Sequence, residues 1–312
     1  MIGTYISGRM GNQFFRYAYT RAIQENRGNK DKLIFNFNMV YKKNQKDSSF
    51  EDVLKYFKVQ PYLTDTNDLI WKYGNLSQKI SYIKYLFNIK ILSRINRNIR
   101  NNKKKFHTSL RKRGLMFASE DESGSTFQIP ESENIFINGN YENRKYFDAI
   151  RDILIHELQP KEPLKKENEE LYKTICNSNS VCITIRRGDY LSDKNRKSFF
   201  LCDDTYFRKG INIIKEKIKD PTFIFFSDDI SYVKENFKLD NPCFYESGND
   251  PIWEKIRLMS SCKHFIISNS TFSWWAQYLS LNPDKVVVSP SRWYNANLES
   301  MLIEKSFIKI EV

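Results

Sequence analysis

The stretch Val181-Cys182-Ile183-Thr184-Ile185-Arg186-Arg187-Gly188-Asp189-Tyr190 decides the fold. Its first five residues have the character of a buried strand, and they run without a break into two arginines, a glycine, an aspartate and a tyrosine. An uninterrupted apolar run of this kind suits a strand covered on both faces, as in the parallel sheets of α/β folds. Those sheets bind ligands at the carboxyl edge of their strands, so the charged residues stand where chemistry is expected. The planar guanidinium groups of Arg186 and Arg187 offer paired donors to adjacent oxygens, which suits a phosphate or diphosphate. The alternative is a pair of solvated strand-end charges, paired with Asp189 or with nothing.

Downstream, strand and helix alternate. The pattern predicts a helix over 204–219, a strand over 222–226, a helix over 232–237 and a short strand over 243–246. A helix over 251–261, a strand over 264–267, a helix over 273–281 and a strand over 285–288 follow. This alternation predicts a mostly parallel sheet with helices on both faces. Three strand ends then carry polar clusters: Arg186 to Asp189, Ser227 with Asp228 and Asp229, and the run from Ser268 through Ser270, Thr271, Phe272 and Ser273. Parallel strands bring all three to one edge. The hydroxyl run sits just ahead of a helix and can cradle phosphate oxygens, while either aspartate can accept from a base N–H or a ribose hydroxyl. Each cluster also has a structural reading, the aspartates as a helix cap and the hydroxyl run as a cap ahead of Trp274 and Trp275 in the core.

Upstream, residues 2–7 alternate like a strand and end at Gly8-Arg9-Met10-Gly11-Asn12-Gln13, after which apolar residues recur at helical spacing. The glycines allow close backbone approach to a ligand, although the spacing is not the G-x-G-x-x-G of a dinucleotide fold. Residues 33–37 read as a second strand, and Ser48 with Glu51 as a capping box opening a short helix that carries Phe50, Leu54 and Phe57. Residues 75–113 lack Gly and Pro and read as an amphipathic helical excursion. A polar loop over 118–133, a strand over 134–138 and a helix bearing Phe147, Ile150, Leu154 and Leu158 complete this half. Pro160 and Pro163 break the pattern, predicting a first domain over 1–160 and a second over 161–312.

The chain has 312 residues, of which 15% are aromatic and 28% charged, the composition of a folded protein and not a disordered one. No apolar run approaches the roughly 20 residues needed to span a bilayer, and the start of the chain does not resemble a signal peptide, so a cytoplasmic location is expected. Five scattered cysteines without a C-x-x-C pair indicate neither a disulfide framework nor a zinc site. The net charge of +13 is uneven, with nine Lys or Arg and no acid between Arg94 and Arg113. Such a patch suits a solvated face, peripheral contact with the inner face of an anionic membrane, or, as the weakest alternative, nucleic acid. No D-x-D pair is present, nor H-E-x-x-H, a Walker loop or G-x-S-x-G. The expectation is therefore an anionic ligand balanced by arginine and helix ends, with no metal and no cofactor.

These motifs together resemble the bacterial α-1,2-fucosyltransferases of glycosyltransferase family 11. The resemblance is carried in order by Gly8-x-x-Gly11-Asn12-Gln13, Gly139-x-Tyr141 with Tyr146-Phe147, Ile185 to Tyr190, Phe225 to Asp229, and Ser268 to Trp275. It implies two facing Rossmann-like domains of GT-B type, GDP-fucose as donor, an oligosaccharide or lipid-linked glycan as acceptor, no metal, and inversion at the fucose anomeric carbon. By resemblance, Arg186 would hold the β-phosphate of the leaving GDP. Gly8, Gly11, Asn12, Gln13, Thr184, Arg187, Asp228, Asp229 and Ser270 through Ser273 would bind the donor, and Tyr141 and Glu142 the acceptor. Asp189 is a candidate general base, with a salt bridge inside its own loop as the alternative, and Glu142 is a second candidate. One departure is Thr184, where many members carry His; threonine cannot titrate near neutrality, so proton transfer from that position is excluded. Other readings are another fucosyl linkage, α-1,3 or α-1,6, and a nucleotide- or glycan-binding module without turnover.

Overall fold

The computed structural model describes residues 1–87, 103–117, 129–186, 202–295 and 299–312, with backbone alone at 103–106. Arg187, Asp189, most of the polar loop and residues 94–102 of the basic stretch lie outside the described residues. The chain forms two compact units, Met1–Lys55 with Val59–Glu157, and Tyr56–Lys58 with Leu158–Val312. Each is an α/β unit on an all-parallel sheet.

The first unit contains β1 (Ile2–Tyr5), α1 (Met10–Asn26), β2 (Leu33–Asn36), α2 (Asn38–Asn44), β3 (Tyr62–Asp65), α3 (Leu69–Tyr73) and α4 (Leu76–Phe87). It continues through α5 (Lys103–Arg111), β4 (Leu115–Met116), β5 (Ile135–Ile137) and α6 (Arg151–Glu157). Its strand order is β3-β2-β1-β5-β4. The apolar runs of β1, β2 and β5 are buried, and Ile34, Leu69, Leu115 and Phe136 pack in one core cluster. Strands β3 and β4 escape the sequence pattern for local reasons. β3 is an edge strand with Leu63 60% exposed, so its apolar content is weak, and β4 has only two residues.

The predicted capping box does not form. Asp47 accepts from the Ser49 N–H and hydroxyl, Glu51 pairs with Lys55, and Asp52 Oδ1 accepts the Leu54 N–H at 3.0 Å to open a single 3₁₀ turn, Leu54–Tyr56. Asp47 and Asp52 each organise a local turn with a donor two residues on, and the segment forms that 3₁₀ turn in place of the expected helix.

The second unit contains α7 (Glu169–Asn177), β6 (Asn179–Ile185), α8 (Asp204–Lys217), β7 (Pro221–Ser227), α9 (Ile230–Asn236) and β8 (Cys243–Tyr245). It then runs through α10 (Ile252–Ser260), β9 (His264–Ile266), α11 (Thr271–Leu279), β10 (Val287–Pro290) and β11 (Ile308–Ile310). The order β11-β10-β9-β6-β7-β8 is doubly wound, with β6 the first strand and the switch point between β6 and β9. Val181, Ile183 and Ile185 pack with Tyr206, Phe207, Ile211 and Ile214 of α8, and Phe223 and Phe225 of β7 join the same core. α8 lies close over the sheet at Gly210, where an added Cβ would meet Ile266 Cγ2 at 2.9 Å. Trp274 and Trp275 are wholly buried in α11, as their core reading required. Among the described residues no helix is long and apolar enough to cross a membrane.

Candidate functional site

Parallel register sets Ile185 beside Ser227 and Ile183 beside Ile266, so β6, β7 and β9 end together. The first residues past those ends line one cleft of about 180 Å³ in the second unit. Thr184, Arg186, Asp228, Ser270, Phe272 and Ser273 all contribute to its wall. With Ser227 and Ser268, six hydroxyl-bearing or charged residues of the three clusters thus share a single space, as the strand-end argument demanded.

The wall is held by short polar contacts. Thr184 Oγ1 accepts the Ser268 N–H at 3.2 Å, and the Ser268 and Ser273 hydroxyls lie 3.2 Å apart. Ser270 is the extended N-cap residue of α11, and its hydroxyl makes no capping bond. A helix start of this kind presents backbone N–H donors and a partial positive charge to an anion. The loop behind it is pinned: Asn269 donates to the Trp293 carbonyl at 2.8 Å, and the Tyr206 hydroxyl donates to the Ile267 carbonyl at 2.6 Å. Burial pushes the Cys202 thiol up to about 12, so it stays protonated and points its S–H at Asn269 Oδ1, 3.7 Å away. All five cysteines are free; Cys182, Cys202 and Cys262 are buried in the core, Cys243 is partly buried and Cys176 is exposed.

The two aspartates divide. Asp228 lines the cleft, whereas Asp229 Oδ1 accepts the Tyr232 N–H at 3.2 Å and caps α9. Thr271 likewise stands outside the cleft wall. Ser227 and Ser268, members of the same strand-end clusters, also belong to the wall, as do Lys255 and Glu246, which no sequence motif singled out. Glu246 follows β8 as Asp228 follows β7; the signal was present, but the residue was counted into the strand itself.

The residues expected at the donor from the first unit are engaged differently. Gln13 is wholly buried, its amide nitrogen donating to the Gly8 and Glu51 carbonyls at 3.1 and 2.7 Å while Oε1 accepts the Val53 N–H at 3.2 Å. It locks the turn to the 51–53 segment and keeps no donor for a ligand. Gly8 adopts φ +81°, and a Cβ there would meet Asn12 Cβ at 2.6 Å. Its glycine identity is therefore dictated by the turn itself. Asn12 is half-buried in the first turn of α1, and Gly11 is buried. Tyr141, expected at the acceptor, is 2% exposed, stacked on Tyr19 at 3.6 Å, and donates its hydroxyl to the Met116 carbonyl at 2.8 Å. Its ring and hydroxyl are thus both engaged within the first unit. Glu142 is half-buried beside Arg16, whose guanidinium is lowered to about 10 by burial, with Glu142 opposing the shift.

The family model described as Glycosyl transferase family 11 matches residues 1–311. The chain belongs to that family. Among curated relatives, the O-antigen biosynthesis glycosyltransferase WbnK of Escherichia coli is 26% identical over 98% of this chain and 99% of its own. An Escherichia coli α-1,2-colitosyltransferase is 32% identical over 50% of this chain and 55% of its own. Among solved structures, fucosyltransferase NodZ from Bradyrhizobium matches with a TM-score of 0.51 at 12% identity, covering 89% of this chain and 92% of that one. That likeness is one of fold, and it places the two parallel-sheet units in the GT-B class. As a family member the chain is a glycosyltransferase.

Proposed function

We propose that this chain transfers fucose from GDP-fucose to a hydroxyl of a glycan acceptor, O-2 of a galactose, with inversion at the anomeric carbon and without a metal ion. The reading rests on one observation above all: Arg186, the serine hydroxyls and the start of α11 meet in a single cleft at the switch point. These groups supply fixed positive potential where the diphosphate of a nucleotide-sugar gathers negative charge on leaving. In the reaction the acceptor oxygen forms a bond to the anomeric carbon, the bond from that carbon to the β-phosphate oxygen breaks, and GDP departs with the electron pair. The acceptor proton passes to a carboxylate, for which Asp189 and Glu142 are the candidates. The linkage is supported by the α-1,2 designation of the colitosyl relative, and a polysaccharide acceptor by the O-antigen relative.

The test is incubation of the full chain with GDP-fucose and a panel of galactose-terminated glycans, following GDP release and determining the product linkage by NMR. A β-linked donor converted to an α-1,2 product in the presence of excess chelator is expected. Loss of turnover on chelation, restored by manganese, would overturn metal independence alone; an α-1,3 or α-1,6 product would overturn the linkage alone. A second donor follows from the colitosyl relative. Colitose is fucose lacking one ring hydroxyl, so GDP-colitose belongs in the same panel, and its preferential turnover would replace fucose in the reading.

A further inference from the structure

The cleft contains one carboxylate that no motif above assigns. Glu246, directly after β8, is wholly buried, and its Oε2 has no hydrogen-bond partner. Its Oε1 receives only long contacts, from the Asp250 N–H at 3.3 Å, the Ser247 hydroxyl at 3.4 Å and the Lys255 ammonium at 3.4 Å. A buried carboxylate oxygen left without a donor is costly, so this one calls for a partner from outside the chain, and its place in the cleft wall makes a bound ligand able to supply it.

Strand order says which part of the ligand arrives there. The groups suited to a diphosphate, Arg186 with Ser268, Ser270 and Ser273, follow β6 and β9 or open α11. Moving away from the switch point, the next strand is β7 with Asp228 and the one after it β8 with Glu246. Neighbouring strands lie about 4.8 Å apart, so Glu246 stands two strands from Arg186 and three from Ser268, roughly 10 to 15 Å from the phosphate cradle. That is the reach of a nucleoside, with Asp228 at the position where doubly wound sheets hold the ribose. The same wall adds the apolar side chains of Ile252 and Met259, a surface suited to the flat face of a base.

A carboxylate is acceptor-only, so it selects for adjacent donors. Guanine presents N1–H and the exocyclic amine side by side on one edge. Adenine places a ring-nitrogen acceptor there, and uracil flanks its one N–H with carbonyls; both meet a carboxylate with like polarity. Building on the nucleotide-sugar reading of the cleft, we infer that Glu246 reads the base, accepting the N1–H and amine of guanine and selecting guanosine diphosphate over its adenosine and uridine counterparts. Lys255 keeps the carboxylate in place through Oε1, leaving Oε2 for the base.

The experiment is titration calorimetry of the full-length chain with GDP, IDP, ADP and UDP. Wild type is compared with Glu246→Gln, Glu246→Asp and Arg186→Lys, and thermal melting reports folding. Wild type is expected to prefer GDP over ADP by about 100-fold or more, since a site built around a donor pair rejects bases lacking it. IDP, which keeps N1–H and lacks the amine, falls between. Glu246→Gln lowers GDP affinity about tenfold or more and leaves ADP within about twofold. Glu246→Asp, which keeps the charge and withdraws it by one methylene, gives an intermediate loss and carries the test if the glutamine variant does not fold. Arg186→Lys weakens all four diphosphates alike. Unchanged GDP affinity in both Glu246 variants, or an equal fall for all four ligands, overturns the inference while leaving the nucleotide cleft standing. Failure of wild type to bind any of the four removes the cleft reading itself.

Discussion

The turn after β1 and the turn after β6 hold matching places in two parallel sheets. Each follows a first strand flanked on both sides by parallel neighbours, β2 and β5 in one case and β7 and β9 in the other. At the first, the chain fills its own strand end: Gln13 ties the glycine turn to residues 51–53, and Arg9 reaches Asp47 and Ser49 at 2.8 Å each. At the second, the strand end opens into a cleft whose wall keeps a hydroxyl uncapped at α11 and a carboxylate oxygen unpartnered at Glu246. The same topology thus yields one strand end whose turn side chains Arg9 and Gln13 are bonded within the chain and one that lines a cleft. The difference lies in whether polar side chains find partners within the chain or are left for a ligand.

Substitutions at the two strand ends should fail in different ways. The largest effect is expected at the end of β6: Arg186→Lys keeps the charge and loses the bidentate fork, and steady-state assays with GDP-fucose should show kcat reduced about 100-fold or more with little change in melting temperature. Near-normal turnover would remove Arg186 from the reaction. At the end of β1, Gln13→Ala strands buried partners of three hydrogen bonds, and denaturant unfolding should record a loss of about 2 kcal/mol. GDP affinity measured on the folded fraction should stay unchanged, and a selective loss of GDP binding would mean that the first turn belongs to the donor site after all.

Smaller effects separate the neighbouring aspartates. Asp229→Ala removes the α9 cap and should cost about 1 kcal/mol without altering the donor KM. Asp228→Asn should do the reverse, raising the donor KM in kinetics while leaving unfolding unchanged. The smallest is a pH effect at the end of β3. The Lys72 ammonium, aided by the Asn67 N–H and the Tyr73 hydroxyl and working against burial, holds the Asp65 carboxyl down at about 2. Its folded value lies below the roughly 3.9 of an unfolded chain, so its stabilisation is present above about pH 4 and is lost as pH falls toward 2. Melting curves from pH 5 to pH 2.5 should fall more steeply for wild type than for Asp65→Asn.

The amino-acid sequence by itself determined the alternation of the second unit, because buried parallel strands are written as continuous apolar runs and each helix carries its own periodic face. It determined the edge at which Thr184, Arg186, Asp228, Ser270 and Ser273 meet, since parallel strands admit no other arrangement. Tertiary structure alone decided which polar residues remain for a ligand. Gln13, Tyr141 and Asp229 look as well suited to binding as Asp228 or Ser270 do, yet their partners, the Val53 N–H, the Met116 carbonyl and the Tyr232 N–H, become visible only in the folded chain. Glu246 shows the converse, an unremarked strand-end residue marked out by the partner that it lacks. Hydrogen bonding is a matter of distances between groups far apart along the chain, and local pattern carries no record of it.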